Sequence, residues 1–254
     1  MLTKDQLNII IREFSDQISI GAFIGDQSVQ TVNTEKKRTS ASLIKPFILY
    51  YLLKKGWDLE MKVPLNQIEL TEDTILRFFV GSTLTIRGLI SLMIDVSDNS
   101  VSNYFLDRIG IQEINDFLRK EGFQSTCFER KFLDLNARAL GHENRTSVSD
   151  LRKLYHGVLQ GKLLEPDSSD FFVRIMKTQF DRSKFAYYLP ESIGSGGKSG
   201  VLEDVWNDLI FFGNLDRPAM LIALTEDLPP VVARDLLSSY SYHFVKENFH
   251  EFFK

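Results

Sequence analysis

Ser42 and Lys45 stand three residues apart at the head of a mostly apolar run, Ile44 to Leu53. If that run is a buried helix, residues three apart share one of its faces. A hydroxyl then sits beside an amine at the tip of a core element. The chemistry open to the pair is nucleophilic attack by Ser42, with unprotonated Lys45 as the base. Pro46 supports a helix start close to Ser42, since proline is tolerated in a first turn and breaks a helix further in. The tetrapeptide is a cheap signal on its own, because Ser195 and Lys198 repeat its spacing in a glycine-rich stretch. Two further polar triplets follow in the chain, Ser97-Asp98-Asn99 and Lys198-Ser199-Gly200. Ser, Asp and Asn are also N-cap residues, so Ser97-Asp98-Asn99 has a purely structural reading before a helix at Val101. Lys45 likewise has one, as a hydrogen-bonded amine in a cleft.

The elements that must position these residues follow from periodicity. Leu7, Ile10, Ile11 and Phe14 mark a helix over residues 3–16. Ile18 to Ile24, the turn signal Gly25-Asp26 and Val29 to Val32 read as a hairpin. The Ser42 helix should end near Lys54-Lys55-Gly56, with cations in its last turn and Gly after it. Helical character is expected over residues 71–80, 85–96, 101–109, 111–121, 147–159, 168–177 and 182–188. Residues 126–145 show no clean period and read as a long loop. Val205 to Phe212 and Met220 to Thr225 are β-rich, and residues 231–252 close the chain as a helix. Strands at both ends of the chain should pair into one antiparallel sheet flanked by helices, with an all-helical lobe beside it. The expected fold is therefore α+β, a single catalytic domain over residues 1–254. It would comprise a sheet lobe (1–36 and 190–254) and a helical lobe (37–189), with the site in the cleft between them.

Composition narrows the partners. At 254 residues the chain can bury a sizeable core, and 43% hydrophobic with 25% charged residues is ordinary for a globular protein. A formal net charge of -4 argues against nucleic acid. Cys127 is the single cysteine, so no intrachain disulfide forms. His142, His156, His243 and His250 show no metal-ligand spacing, so neither a metal nor another cofactor is expected. No apolar run approaches the roughly 18 to 20 residues of a membrane span. As written the chain reads as cytoplasmic and monomeric; had a leader been removed from it, it would be an exported protein. The expected partner is a small-molecule or peptide-like substrate.

The three motifs, in this order and in these contexts, resemble those of the class A β-lactamase family, within the wider group of penicillin-recognising serine hydrolases. The likeness runs over nearly the whole chain, including Thr85-Ile86-Arg87-Gly88-Leu89-Ile90 before Ser97 and the strand pair from Val205 to Thr225. It implies the β-lactamase/transpeptidase-like fold and an acyl-enzyme on Ser42. Lys45 would take the Ser42 proton, and Ser97 would relay a proton to the leaving nitrogen. Asn99 would hold a substrate amide and the Lys45 amine, and Asp98 would be structural. Lys198 and Ser199 would bind an anionic substrate group, with Ser199 keeping the hydroxyl of the family's threonine. Gly200 lets the strand approach closely, and the backbone N–H groups of Ser42 and Val201 would form the oxyanion hole.

The chain departs from that pattern in two places. Where the family reads Arg-x-Glu-Pro-Glu-Leu-Asn, this chain reads Arg130-Lys131-Phe132-Leu133-Asp134-Leu135-Asn136. Arg130, Leu135 and Asn136 match, but Phe132 stands where the deacylating glutamate belongs, and Glu129 and Asp134 do not match by position. Many family members also carry an arginine after the third motif that helps hold a substrate carboxylate. Here Glu203, Asp204 and Asp208 occupy that region and are expected to add negative charge at the cleft rim. The implied function is a serine hydrolase of the class A β-lactamase type that forms an acyl-enzyme on Ser42 with a lactam or amide, its deacylation impaired. The alternatives are a penicillin-binding, peptidase- or esterase-like enzyme acting on a non-lactam substrate, and a non-catalytic covalent binder.

Overall fold

In the computed structural model, which describes residues 1–253, the chain opens with α1 (Lys4–Glu13), capped by Thr3 and Gln6 in a reciprocal capping box. The hairpin follows as β1 (Ile18–Ile24) and β2 (Gln27–Val32). A two-residue strand, β3 (Arg38–Thr39), leads into a single 3₁₀ turn, Ala41–Ile44, and then α2 (Lys45–Lys54). The middle of the chain carries β4 (Lys62–Pro64), β5 (Thr83–Thr85), α3 (Ile86–Asp95), α4 (Asn99–Ile109) and α5 (Ile111–Lys120). Next come the short α6 (Leu135–Ala139), β6 (Arg145–Thr146), α7 (Val148–Leu159) and α8 (Pro166–Met176). The chain closes with β7 (Gly196–Leu202), β8 (Val205–Phe212), β9 (Ala219–Thr225) and α9 (Pro230–Asn248).

The strands from both ends form one antiparallel sheet in the order β2-β1-β9-β8-β7. Strand alternation divides β9 between two cores. Leu221 and Ala223 face α1 and α9, where they meet Leu7, Leu236 and Val245. Met220, Ile222 and Leu224 face the helical lobe. Because both faces are covered, a one-residue slip would exchange the two sets, so the register is strongly specified. Helix α2 lies inside the helical lobe, with Phe47, Ile48, Leu49, Tyr50 and Leu52 all fully buried. Its Phe47 and Tyr50 rings pack edge-on against Phe123. The element that begins beside Ser42 is therefore fixed by core packing on every side.

Two expected helices differ. Residues 71–80 yield only a 3₁₀ turn, Ile75–Phe79, because the Thr74 hydroxyl and the Ile75 N–H are drawn to the Asp98 carboxylate at 2.7 and 3.2 Å. Residues 182–188 are turns instead of helix, held by Asp181, whose carboxylate accepts from the Ser183 N–H (2.9 Å) and pairs with Lys184. Among the described residues no helix is long and apolar enough to cross a membrane, and no group of His, Cys, Asp or Glu is arranged to hold a metal ion.

Candidate active site

Ser42 occupies the 3₁₀ turn ahead of α2, and the turn is anchored to the sheet. Buried Asn207 on β8 donates from Nδ2 to the carbonyls of Thr39 (2.8 Å) and Ser40 (3.2 Å), while its Oδ1 accepts the Thr225 N–H at 2.8 Å. The Ser40 N–H donates to the Asn144 carbonyl at 2.8 Å. No sequence pattern singled out Asn207. Ala41 and Ser97 both have positive φ, 47° and 59°. Such backbone costs about 1–3 kcal/mol per non-glycine residue, and here both positions lie at the candidate nucleophile or its partner.

Strand β7 passes close to this turn. A Cβ on Gly200 would sit 2.9 Å from the Ser42 amide nitrogen and 3.0 Å from the Ser40 carbonyl oxygen. Both are backbone atoms that cannot rotate away, so the third motif requires glycine here. The same strand demands Gly197, where a Cβ would fall 1.9 Å from the Leu209 carbonyl oxygen.

Lys45 is fully buried. Its amine lies 2.5 Å from the Ser97 carbonyl oxygen, 3.1 Å from Ser97 Oγ and 2.8 Å from Asn99 Oδ1. The first two motifs therefore meet through this one nitrogen. The three contacts lie on the Ser97 side and none is to Ser42, so the direct Ser42–Lys45 pair expected from the spacing is replaced by Lys45–Ser97. Burial holds the Lys45 pKa well below the usual lysine range. The Lys198 charge pushes the same way, and Asp98 and Asp73 oppose it. Asp98, not Ser97, caps α4 by accepting the Val101 N–H at 3.0 Å, which removes the capping role for Ser97.

The cleft has a volume of about 500 Å³ and is lined by Ser42, Ser97, Asn99, Lys198, Ser199, Gly200 and Val201, together with Asp73, Asp95, Val96, Gln179, Phe180 and Asp181. Lys198 is 1% exposed, and its amine donates to the Ser199 carbonyl at 2.9 Å. Burial lowers its pKa to about 8, against the opposing charge of Asp181. The last six lining residues were missed in the sequence. Their segments lack a motif, and the only available signal was the closeness of Asp95 and Val96 to Ser97.

The expected rim carboxylates are elsewhere. Asp208 is buried and accepts the Phe185 N–H at 3.0 Å, with its pKa raised to about 7 chiefly by burial. Asp204 pairs with Arg138 at 2.7 Å, and Glu203 does not line the cleft.

Phe132 is buried, and Lys45 Nζ lies 4.7 Å from the centroid of its ring. Asn103 clasps its backbone: the Phe132 N–H donates to Asn103 Oδ1 at 2.8 Å and the Phe132 carbonyl accepts from Asn103 Nδ2 at 3.0 Å. Asn136 is exposed on α6 and is not brought to Ser42. Asp134 caps α6 by accepting the Ala137 N–H, and Glu129 accepts the Glu143 N–H. Neither carboxylate lines the cleft.

The same architecture occurs in solved structures of low sequence identity. A β-lactamase from Sphaerobacter thermophilus DSM 20745 is 18% identical with a TM-score of 0.81, covering 97% of this chain and 98% of that one. One from Chitinophaga pinensis DSM 2588 is 16% identical with a TM-score of 0.84, covering 96% and 98%. An ancestral class A β-lactamase is 20% identical, also at 0.84, covering 96% and 98%. At these identities the likeness concerns the fold. No curated protein is significantly similar in sequence. The beta-lactamase enzyme family (Beta-lactamase2) matches residues 2–239. With that match spanning nearly the whole sequence, the chain belongs to the beta-lactamase enzyme family.

Proposed function

We propose that the chain is a serine acyl-transfer hydrolase that forms an acyl-enzyme on Ser42 and releases it slowly. The observation that carries this reading is the Lys45 amine, buried, depressed in pKa and shared between Ser97 and Asn99 beside Ser42. As a neutral amine it donates to the Ser97 carbonyl and Asn99 Oδ1, and its lone pair accepts the Ser97 hydroxyl proton. Ser97 Oγ then takes the proton of Ser42 as Ser42 Oγ attacks the substrate carbonyl. The developing oxyanion is held by the N–H groups of Ser42 and Val201. Collapse breaks the bond to the leaving group, which receives its proton back through Ser97. Water must finish the reaction, and the Phe132 ring, whose centroid lies 4.7 Å from Lys45 Nζ, has no base to offer. The same ring favours a second reading, a covalent acceptor that acylates once and stops.

A fluorophosphonate probe should label the wild-type chain and leave Ser42→Ala unlabelled on gel fluorescence. Equal labelling of both proteins would place the nucleophile elsewhere. Lys45→Met should slow labelling by about 10²–10⁴-fold, the usual contribution of a general base. Its stability relative to wild type should also depend on pH. Between the lowered pKa of Lys45 in the folded chain and the ordinary lysine value of 10.5, the unfolded chain binds more protons at this residue. Wild-type stability therefore rises with pH across that window. The melting temperature of Lys45→Met minus that of wild type should fall from pH 6 to pH 9; a flat difference would mean that Lys45 is not held neutral.

A further inference from the structure

Of the six residues lining the cleft that no motif predicted, three are carboxylates. Asp95 and Asp73 line the cleft, and neither has an ion-pair partner among the described residues. Asp95 accepts only the Thr178 hydroxyl, and burial raises its pKa. Asp73 accepts the Asn99 amide at 2.7 Å. Asp181 is matched by Lys184. Gln179 donates from Nε2 to the Asp181 carbonyl at 3.2 Å, which fixes its orientation and leaves Oε1 a buried acceptor without a donor. The Phe180 side chain is 76% exposed in the same cleft. The one lysine positioned to meet an anion, Lys198, is 1% exposed and donates to its neighbour's carbonyl.

We infer that the cleft selects an acyl donor whose leaving group carries a protonated amine. This deepens the acyl-transfer reading above and rests on it. With Asp181 matched by Lys184, Asp73 and Asp95 face the single buried charge of Lys198. The carboxylates of the cleft therefore outnumber its cations and attract another, and the aromatic face of Phe180 adds to that attraction. Asp73 accepts from Asn99, which shares the Lys45 amine with Ser97, the group proposed to protonate the leaving atom, so the ammonium belongs on the leaving side of the scissile bond. The half-exposed Val96 and Val201 offer apolar walls to the part that links the two. In the reaction Ser42 Oγ bonds to the acyl carbon, the bond from that carbon to the leaving oxygen breaks, and the Ser42 proton ends on that oxygen.

The test uses phenylacetyl esters of 4-(aminomethyl)phenol, 4-ethylphenol and 4-hydroxyphenylacetic acid, each rate being normalised to the ester's own hydroxide hydrolysis. The burst of phenol release reads acylation. The ammonium ester should acylate Ser42 about 10-fold faster than the neutral one and the carboxylate ester should be slowest, as expected for a charge beside the cleft carboxylates. The advantage should shrink in about 0.5 M salt and in Asp95→Asn. In Ser42→Ala, titration by NMR should show tighter binding of 4-(aminomethyl)phenol than of 4-hydroxyphenylacetate. Esters that acylate with equal rates, or a carboxylate ester that is fastest, would overturn the cation preference while leaving the acyl-transfer reading intact. If no ester acylates but Ser42→Ala still prefers the amine, the preference stands and the serine chemistry falls. Equal binding of the two phenols by Ser42→Ala would overturn the preference whatever the esters do.

Discussion

Phe132→Glu should shorten the life of a Ser42 acyl-enzyme by about 10²–10⁴-fold, the contribution of a well-placed general base. The geometry makes this a local change. The Phe132 ring centroid is 4.7 Å from Lys45 Nζ, and its backbone is clasped on both sides by Asn103. Replacing the side chain leaves those main-chain bonds in place and puts a carboxylate where the ring was. Phe132→Ala separates two explanations. It opens space for water without adding a base, so it should accelerate deacylation far less than Phe132→Glu does. If the alanine variant matched the glutamate variant, exclusion of water by the ring, and not the missing base, would explain the slow step. A cost is also expected: the new carboxylate beside Lys45 favours the charged amine and should slow acylation at neutral pH.

Gly200→Ala is the second large effect. Its Cβ would meet the Ser42 nitrogen at 2.9 Å and the Leu43 nitrogen at 3.0 Å, so β7 must retreat from the Ser42 turn. The strand carries Val201, the proposed second oxyanion donor, away with it. Loss of one such donor typically lowers the rate by about 10²–10³-fold, and acylation by an activated ester should fall by that much. Because the clash lies at the cleft and not in either core, circular dichroism should remain that of wild type. A variant that keeps the fold and acylates at the wild-type rate would show that the β7 backbone takes no part in stabilising the oxyanion.

Much of this was legible in the sequence because both the core and the motifs are local signals. The continuous apolar run from Phe47 to Leu53 announced a buried helix, and the β-rich composition of Val205 to Phe212 and Met220 to Thr225 marked two strands of the sheet. Asp98 took the structural role expected of it. What was not legible depends on long-range partners. Thr71 to Val80 has helical composition, but Asp98 captures Thr74 and Ile75 and unwinds most of it. That loop then delivers Asp73 to the cleft. Asp208 looked like a rim carboxylate because strand parity alone does not say which face the helical lobe covers. The spacing of Ser42 and Lys45 put them on one face but did not fix the lysine rotamer, which turns to Ser97. Asn207 left no local trace, since its partners Thr39, Ser40 and Thr225 are distant in sequence.

The site should complete the first half of acyl transfer and stall in the second. This is tested most directly by intact-mass spectrometry of the wild-type chain after mixing with an activated aryl ester or a penicillin, with peptide mapping of the product. One acyl group on the peptide containing Ser42, still present after minutes, is the expected result. Return to the unmodified mass within seconds, or an adduct on any other residue, would contradict it.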